Sequence, residues 1–227
     1  MNKVFFKNAL KKPELFSAIL DFNFSILQKK EERSLALLAG QNIPLEKIPS
    51  AALKKYIQKN IGTEQTGFWD FTEETRRLAL LDTDTLLALM NVTGISLNAK
   101  EIAKTVQKEE VAKIKQAIGG SLYHYALTRG QYRLGTLQTF FPPAGSLSLL
   151  EKIQKQGEQA LAYCIQNWSE ELKTLFFEKN ALPHSFFTSL EEIKQYPLNP
   201  KNEILIWFSV KKILIKEINH SWAPYFN

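Results

Sequence analysis

One cysteine in 227 residues, Cys164, leaves no partner for an internal disulfide. Its surroundings, A-L-A-Y-C-I, suit a small buried hydrophobe. Three histidines, His124, His184 and His220, lie far apart and none has a second ligand at metal-binding spacing, so no zinc site is expected. Arginine is scarce: five of the 29 basic residues, at 33, 76, 77, 129 and 133. The planar guanidinium fork is the usual reader of bases and phosphates, so a lysine-dominated chain argues against dedicated nucleic-acid recognition. No Gly-rich phosphate loop, H-x-x-x-H pair or G-x-S-x-G motif occurs, and Cys164 has no histidine nearby in sequence. An enzyme is therefore not expected, and neither is a cofactor.

Long apolar runs are missing as well. Lysines 3, 7, 11 and 12 interrupt any signal-peptide core. The longest uncharged run, Leu134 to Leu150, contains Pro142, Pro143 and Gly145 and falls short of the roughly 20 apolar residues of a spanning helix. A soluble, cytoplasmic protein without membrane insertion is expected, with a membrane-proximal position left open. Hairpin turn pairs (Asn-Gly, Asp-Gly) and strict two-residue alternation do not appear, which argues against strands.

What the chain has in quantity is helix punctuation. Pro13 suits the first turn of a helix running through Leu15, Phe16, Ile19 and Leu20 toward Leu27, with a second from Glu31 to Ala39 stopped by Gly40. Pro49-Ser50 opens a third, closed near Asn60–Gly62. Asp70 and Glu73 have capping-box spacing for the next, where Leu78, Leu80 and Leu81 supply apolar contacts. Asp82 or Thr83 caps a helix over Leu86–Val92 that Gly94 ends, and Asn98 with Glu101 restarts one. Glu109–Ile118 follows, broken by Gly119-Gly120, then Ser121 through Leu127 to Gly130.

Beyond the 139–145 loop, Leu147–Trp168 reads as a long helix, and Ser169 caps one to Lys179. A helix then spans Ser185–Gln195, and Asn199-Pro200 opens the last, to Asn219. The expected fold is all-α, a compact body of about ten short to medium helices. One domain over 1–227 is expected, with a candidate subdivision into 1–138 and 146–227 at the loop.

The last helix is apolar over a wide arc, Ile204–Phe208, Val210, Ile213, Leu214, Ile215 and Ile218, with Lys201, Lys212 and Lys216 on the remaining strip; burial inside its own domain is expected. The tail W222-A-P-Y-F-N either packs back or presents Trp222, Tyr225 and Phe226 as aromatic anchors to another protein. Acidic pairs such as Asp82/Asp84 fall where a helix N-terminus favours negative charge.

The net charge of +6 is uneven: residues 1–62 hold 11 basic and five acidic side chains, whereas 63–107 hold four and seven. Lys3, Lys7, Lys11, Lys12, Lys29 and Lys30 are thus candidates for a basic partner-binding face, against the plainer reading of a solvated surface.

From the leucine-rich helix at Leu78–Met90 through I-K-Q-A-I-G-G-S-L-Y-H-Y-A-L to the loop at Phe141-Pro142-Pro143, about 60 to 70 residues, the chain resembles the YscK/SctK family. These are cytoplasmic sorting-platform accessory proteins of bacterial type III secretion systems. The resemblance implies a non-enzymatic adaptor linking the cytoplasmic domain of the inner-membrane ring protein to the pod protein of the sorting platform. The N-terminal aromatic-proline-tyrosine-histidine element of that family is not found here, where Phe22-Asn23-Phe24 stands, and no family contact residue maps onto a numbered position. The other readings are a helical nucleic-acid-binding or regulatory protein using the basic N-terminal quarter, and a small helical enzyme or ligand-binding bundle with a deep pocket.

Overall fold

A computed structural model describes residues 12–40, 67–134, 137–143 and 145–226, apart from the side chains at 33–34 and 37–40. Those residues form helices joined by short connectors, with no strand among them, so the fold is all-α. The third helix expected near 49–60 lies outside the described residues. The chain divides into two compact units, one from residues 1–80 and 169–181 and the other from 81–168 and 182–227. The loop at 139–145 falls inside the second.

The first unit is built on α1 (Pro13–Gly40). The sequence suggests two helices here, but the chain continues through Gln28-Lys29-Lys30. Those residues are good helix formers, and Gln28 Nε2 donates to Glu32 Oε1 one turn on at 3.0 Å. Leu15, Ile19, Phe22 and Ile26, spaced by four, three and four, make the buried stripe. Phe22 meets the edge of Phe71 at 5.6 Å, and Phe71 that of Phe68 at 5.3 Å.

The capping box expected at Asp70–Glu73 is instead a turn closed by Asp70, which accepts from the Thr72 amide at 3.2 Å. A 3-10 helix, Glu74–Leu80, follows. Partial burial disfavours charge on Asp70, but hydrogen bonds from the Thr72 hydroxyl and amide and from Arg76 outweigh it. The carboxyl is held below its usual range. α6 (Glu170–Lys179), capped by Ser169, completes this unit with Leu172, Leu175 and Phe176 buried.

The second unit is organised by the crossing of α2 (Thr83–Lys104) and α5 (Leu149–Ile165). Asp82 caps α2, accepting from the Thr85 amide at 2.7 Å. Gly94, read from the sequence as a stop, lies in the middle of α2. A β-carbon there would collide with the Ile153 carbonyl, and one on Gly157 of α5 would collide with the Met90 carbonyl. The glycines are the places where two helix backbones touch. Asn98, read as a new cap, is interior too: its amide donates to Gly94 O and to Gln156 Oε1, each at 2.9 Å, and Gln138 donates to its oxygen at 3.3 Å. A buried polar link between α2 and α5 is thereby satisfied.

Around this crossing lie α3 (Lys108–Ile118), α4 (Gly120–Thr128), α7 (His184–Ile193) and α8 (Pro200–Ile213). Gly119, at φ 83°, makes the turn between α3 and α4 that a side chain would strain. A capping box at Ser148/Glu151 opens α5, and Asn199 caps α8 ahead of Pro200. α8 continues as a wider π turn, Leu214–Ile218, and ends in a 3-10 segment, His220–Phe226.

Candidate partner-binding surfaces

Of the basic residues singled out in the sequence, Lys3, Lys7 and Lys11 lie outside the described residues, and Lys12 is exposed at the bend before α1. Lys29, exposed, and Lys30, half-buried, reach across to α6 within their unit. The Lys29 ammonium donates to the carbonyls of Lys179 at 2.6 Å and Glu178 at 3.4 Å, the last turn of α6, where the helix dipole is negative. Lys30 stands 3.8 Å from the Glu178 carboxylate. Lys179 does the same for the 3-10 helix, reaching the Ala79 and Leu80 carbonyls at 2.9 Å each above the Phe22 ring. These lysines hold helix ends together.

The aromatic tail divides. Phe226 is fully buried, its ring 5.8 Å from Trp207, and its carbonyl accepts from Lys211 at 3.3 Å. It belongs to the core, so the anchor expected at this position is not a surface group. Trp222 and Tyr225, half-buried with ring centres 4.6 Å apart, are the rings left at the surface.

The largest departure from the sequence reading is α8. Its buried side is Ile206, Trp207, Val210 and Ile213, while Ile204, Leu205 and Phe208 are 53%, 40% and 54% exposed. With Lys201 and Lys212, also exposed, they occupy i, i+3, i+4, i+7 and i+11 of one outward stripe. The Lys211 ammonium lies 5.1 Å over the Phe208 ring and adds positive charge beside it. The lysines were the available signal: they mark the outward arc, and three apolar residues share it.

α1 presents a second outward stripe, missed in the sequence because Phe24 reads as part of the apolar run. Phe24 and Leu27 are 63% and 40% exposed, between the exposed acids Asp21 and Glu31.

The polar groups of the second unit are largely spoken for. Glu158, 3% exposed, accepts from Ser185 at 2.6 Å, Ser189 at 3.1 Å and Gln154 at 3.0 Å. With Gln154 it borders two shallow hollows of about 330 and 250 Å³. Glu217, its side chain 4% exposed, takes Arg129 at 3.1 Å and Arg133 at 2.8 Å. Tyr125 hydrogen-bonds Ser96 at 2.8 Å, and burial raises its phenol above the ordinary range. Burial also pushes the Cys164 thiol up, which keeps it protonated and unreactive. Tyr163, whose hydroxyl donates to Tyr196 O at 2.8 Å, is pushed up to about 12 by burial. Among the described residues no three His, Cys, Asp or Glu side chains are grouped to hold a metal ion, and no helix is long and apolar enough to cross a membrane.

Compared with known proteins, the chain matches no family model, no curated sequence and no solved structure.

Proposed function

We propose that the protein is a non-enzymatic adaptor of a bacterial type III secretion sorting platform, bridging the inner-membrane ring protein and the pod protein. The observation that carries the adaptor reading is the pair of outward apolar helix faces, one on each unit: Phe24/Leu27 on α1 and Ile204/Leu205/Phe208 on α8. Exposed apolar residues at helical spacing, edged by charge, are the usual means by which a helix receives another protein. A bridging protein needs two such faces. The secretion assignment rests on the resemblance of residues 78–143 to the YscK/SctK family. It places the protein in the cytoplasm at the inner face of the membrane, without insertion.

The test is co-purification of the full chain with the ring protein's cytoplasmic domain and the pod protein of the same bacterium. A ternary complex supports the assignment. Failure to bind either, together with duplex DNA or RNA binding that weakens steeply as salt rises, would overturn it in favour of the nucleic-acid reading.

A further inference from the structure

The two outward stripes are complementary to each other. Along α8 the order is Lys201, then Ile204, Leu205 and Phe208, then Lys212; along α1 it is Asp21, then Phe24 and Leu27, then Glu31. At 1.5 Å rise per residue the lysines are separated by about 16 Å along the axis and the acids by about 15 Å. Apolar side chains therefore meet apolar ones in the register that sets each acid against a lysine. Neither stripe suits itself: α8 on α8 would put lysine against lysine, and α1 on α1 acid against acid, with repulsion in both cases. Other proteins could present such a helix, but this chain demonstrably does.

We propose that the α8 face of one copy is covered by the α1 face of a second copy, giving head-to-tail self-association of the free protein. The contact is heterologous, because different surfaces meet, so a pair retains one α1 face and one α8 face, each able to take a further copy. The inference rests on the adaptor reading to the extent that it uses the same two faces. It adds that the free protein hides them, so that a secretion partner has to displace a neighbouring copy.

Sedimentation velocity of the full chain, over a hundredfold concentration range at low salt, tests this. The weight-average sedimentation coefficient should rise with concentration and fall back toward the monomer at about 0.5 M salt, where the charged rim is screened. The surface variants Lys201→Glu/Lys212→Glu and Asp21→Lys/Glu31→Lys should each remain monomeric with unchanged helix content. Mixed, they should regain association as alternating copies, since the reversed α8 of the first matches the reversed α1 of the second, and the unchanged α8 of the second matches the unchanged α1 of the first. Wild-type protein that stays monomeric throughout, or association that persists in either variant, would overturn the proposal. A monomeric wild type that binds ring or pod protein through these faces sinks self-association alone. A self-associating chain that binds neither sinks the adaptor alone.

Discussion

Replacing Gly157 by alanine should separate α5 from α2 and destabilise the second unit, although alanine is the better helix former. Two effects compete. In a helix interior alanine gains about 1 kcal/mol over glycine. Against this, the new methyl at Gly157 points into the Met90 carbonyl, and one at Gly94 into the Ile153 carbonyl, both backbone atoms that cannot rotate away. Overpacking a well-filled core costs about 1–3 kcal/mol. Backbone on backbone belongs at the upper end, so each single variant should lose about 2 kcal/mol net. For a chain of this length that lowers the melting midpoint by about 4–8 °C. Gly120→Ala is the internal control, because a β-carbon there has nothing within 4 Å and no positive φ to oppose it. That variant should gain about 0.5–1 kcal/mol. Urea unfolding followed by far-UV circular dichroism reads all three. The Gly94→Ala/Gly157→Ala pair should cost less than the sum of its parts, since the first methyl already parts the helices. If Gly157→Ala stabilises the protein as Gly120→Ala does, the close crossing is wrong.

Other substitutions separate burial from pairing. Thr93, 2% exposed, has a hydroxyl without a hydrogen-bond partner among the described residues, so Thr93→Val should stabilise by about 1 kcal/mol in urea titration. Removing both guanidinium groups in Arg129→Gln/Arg133→Gln strands the buried Glu217 carboxylate and should cost about 3 kcal/mol. Glu217→Gln should cost about 1, because Arg129, 63% exposed, is resolvated, and equal costs would refute that asymmetry. Phe226→Ala should cost about 3 kcal/mol in thermal unfolding if the tail is core, and almost nothing if it is an exposed anchor. Asp70 ionises more readily folded than unfolded, so its contribution is present above about pH 4 and is lost as pH falls through the depressed native value. The stability gap between wild type and Asp70→Asn should be constant above about pH 5 and shrink below pH 4; a gap unchanged at about pH 2 would contradict the pairing.

Local chemistry made much of the helical layout readable in advance. Asp82, Ser169 and Asn199-Pro200 were recognisable as helix starts because a cap is satisfied by the two or three residues that follow it. Gly94 is ambiguous in the sequence for the opposite reason. A glycine that stops a helix and one that admits a neighbouring backbone look alike until the neighbour, Gly157, is known. The direction of α8 was hidden for a related reason: an apolar arc that continues around the helix does not say which part meets the core. That choice is made by the elements packed against Ile206, Trp207 and Val210. Lys29 posed the same problem over a longer range, since the carbonyl it serves is 150 residues away.

That last separation bears on how the protein is made. The first unit is assembled from the start of the chain and from α6, which emerges about 100 residues after the 3-10 helix at Glu74–Leu80. At about 5–20 residues per second, translation leaves roughly 5–20 seconds in which Phe22, Phe71 and Leu78 have no α6 to shelter them. During that interval the nascent chain presents an unfinished aromatic core while α2 and α5 are still being synthesised.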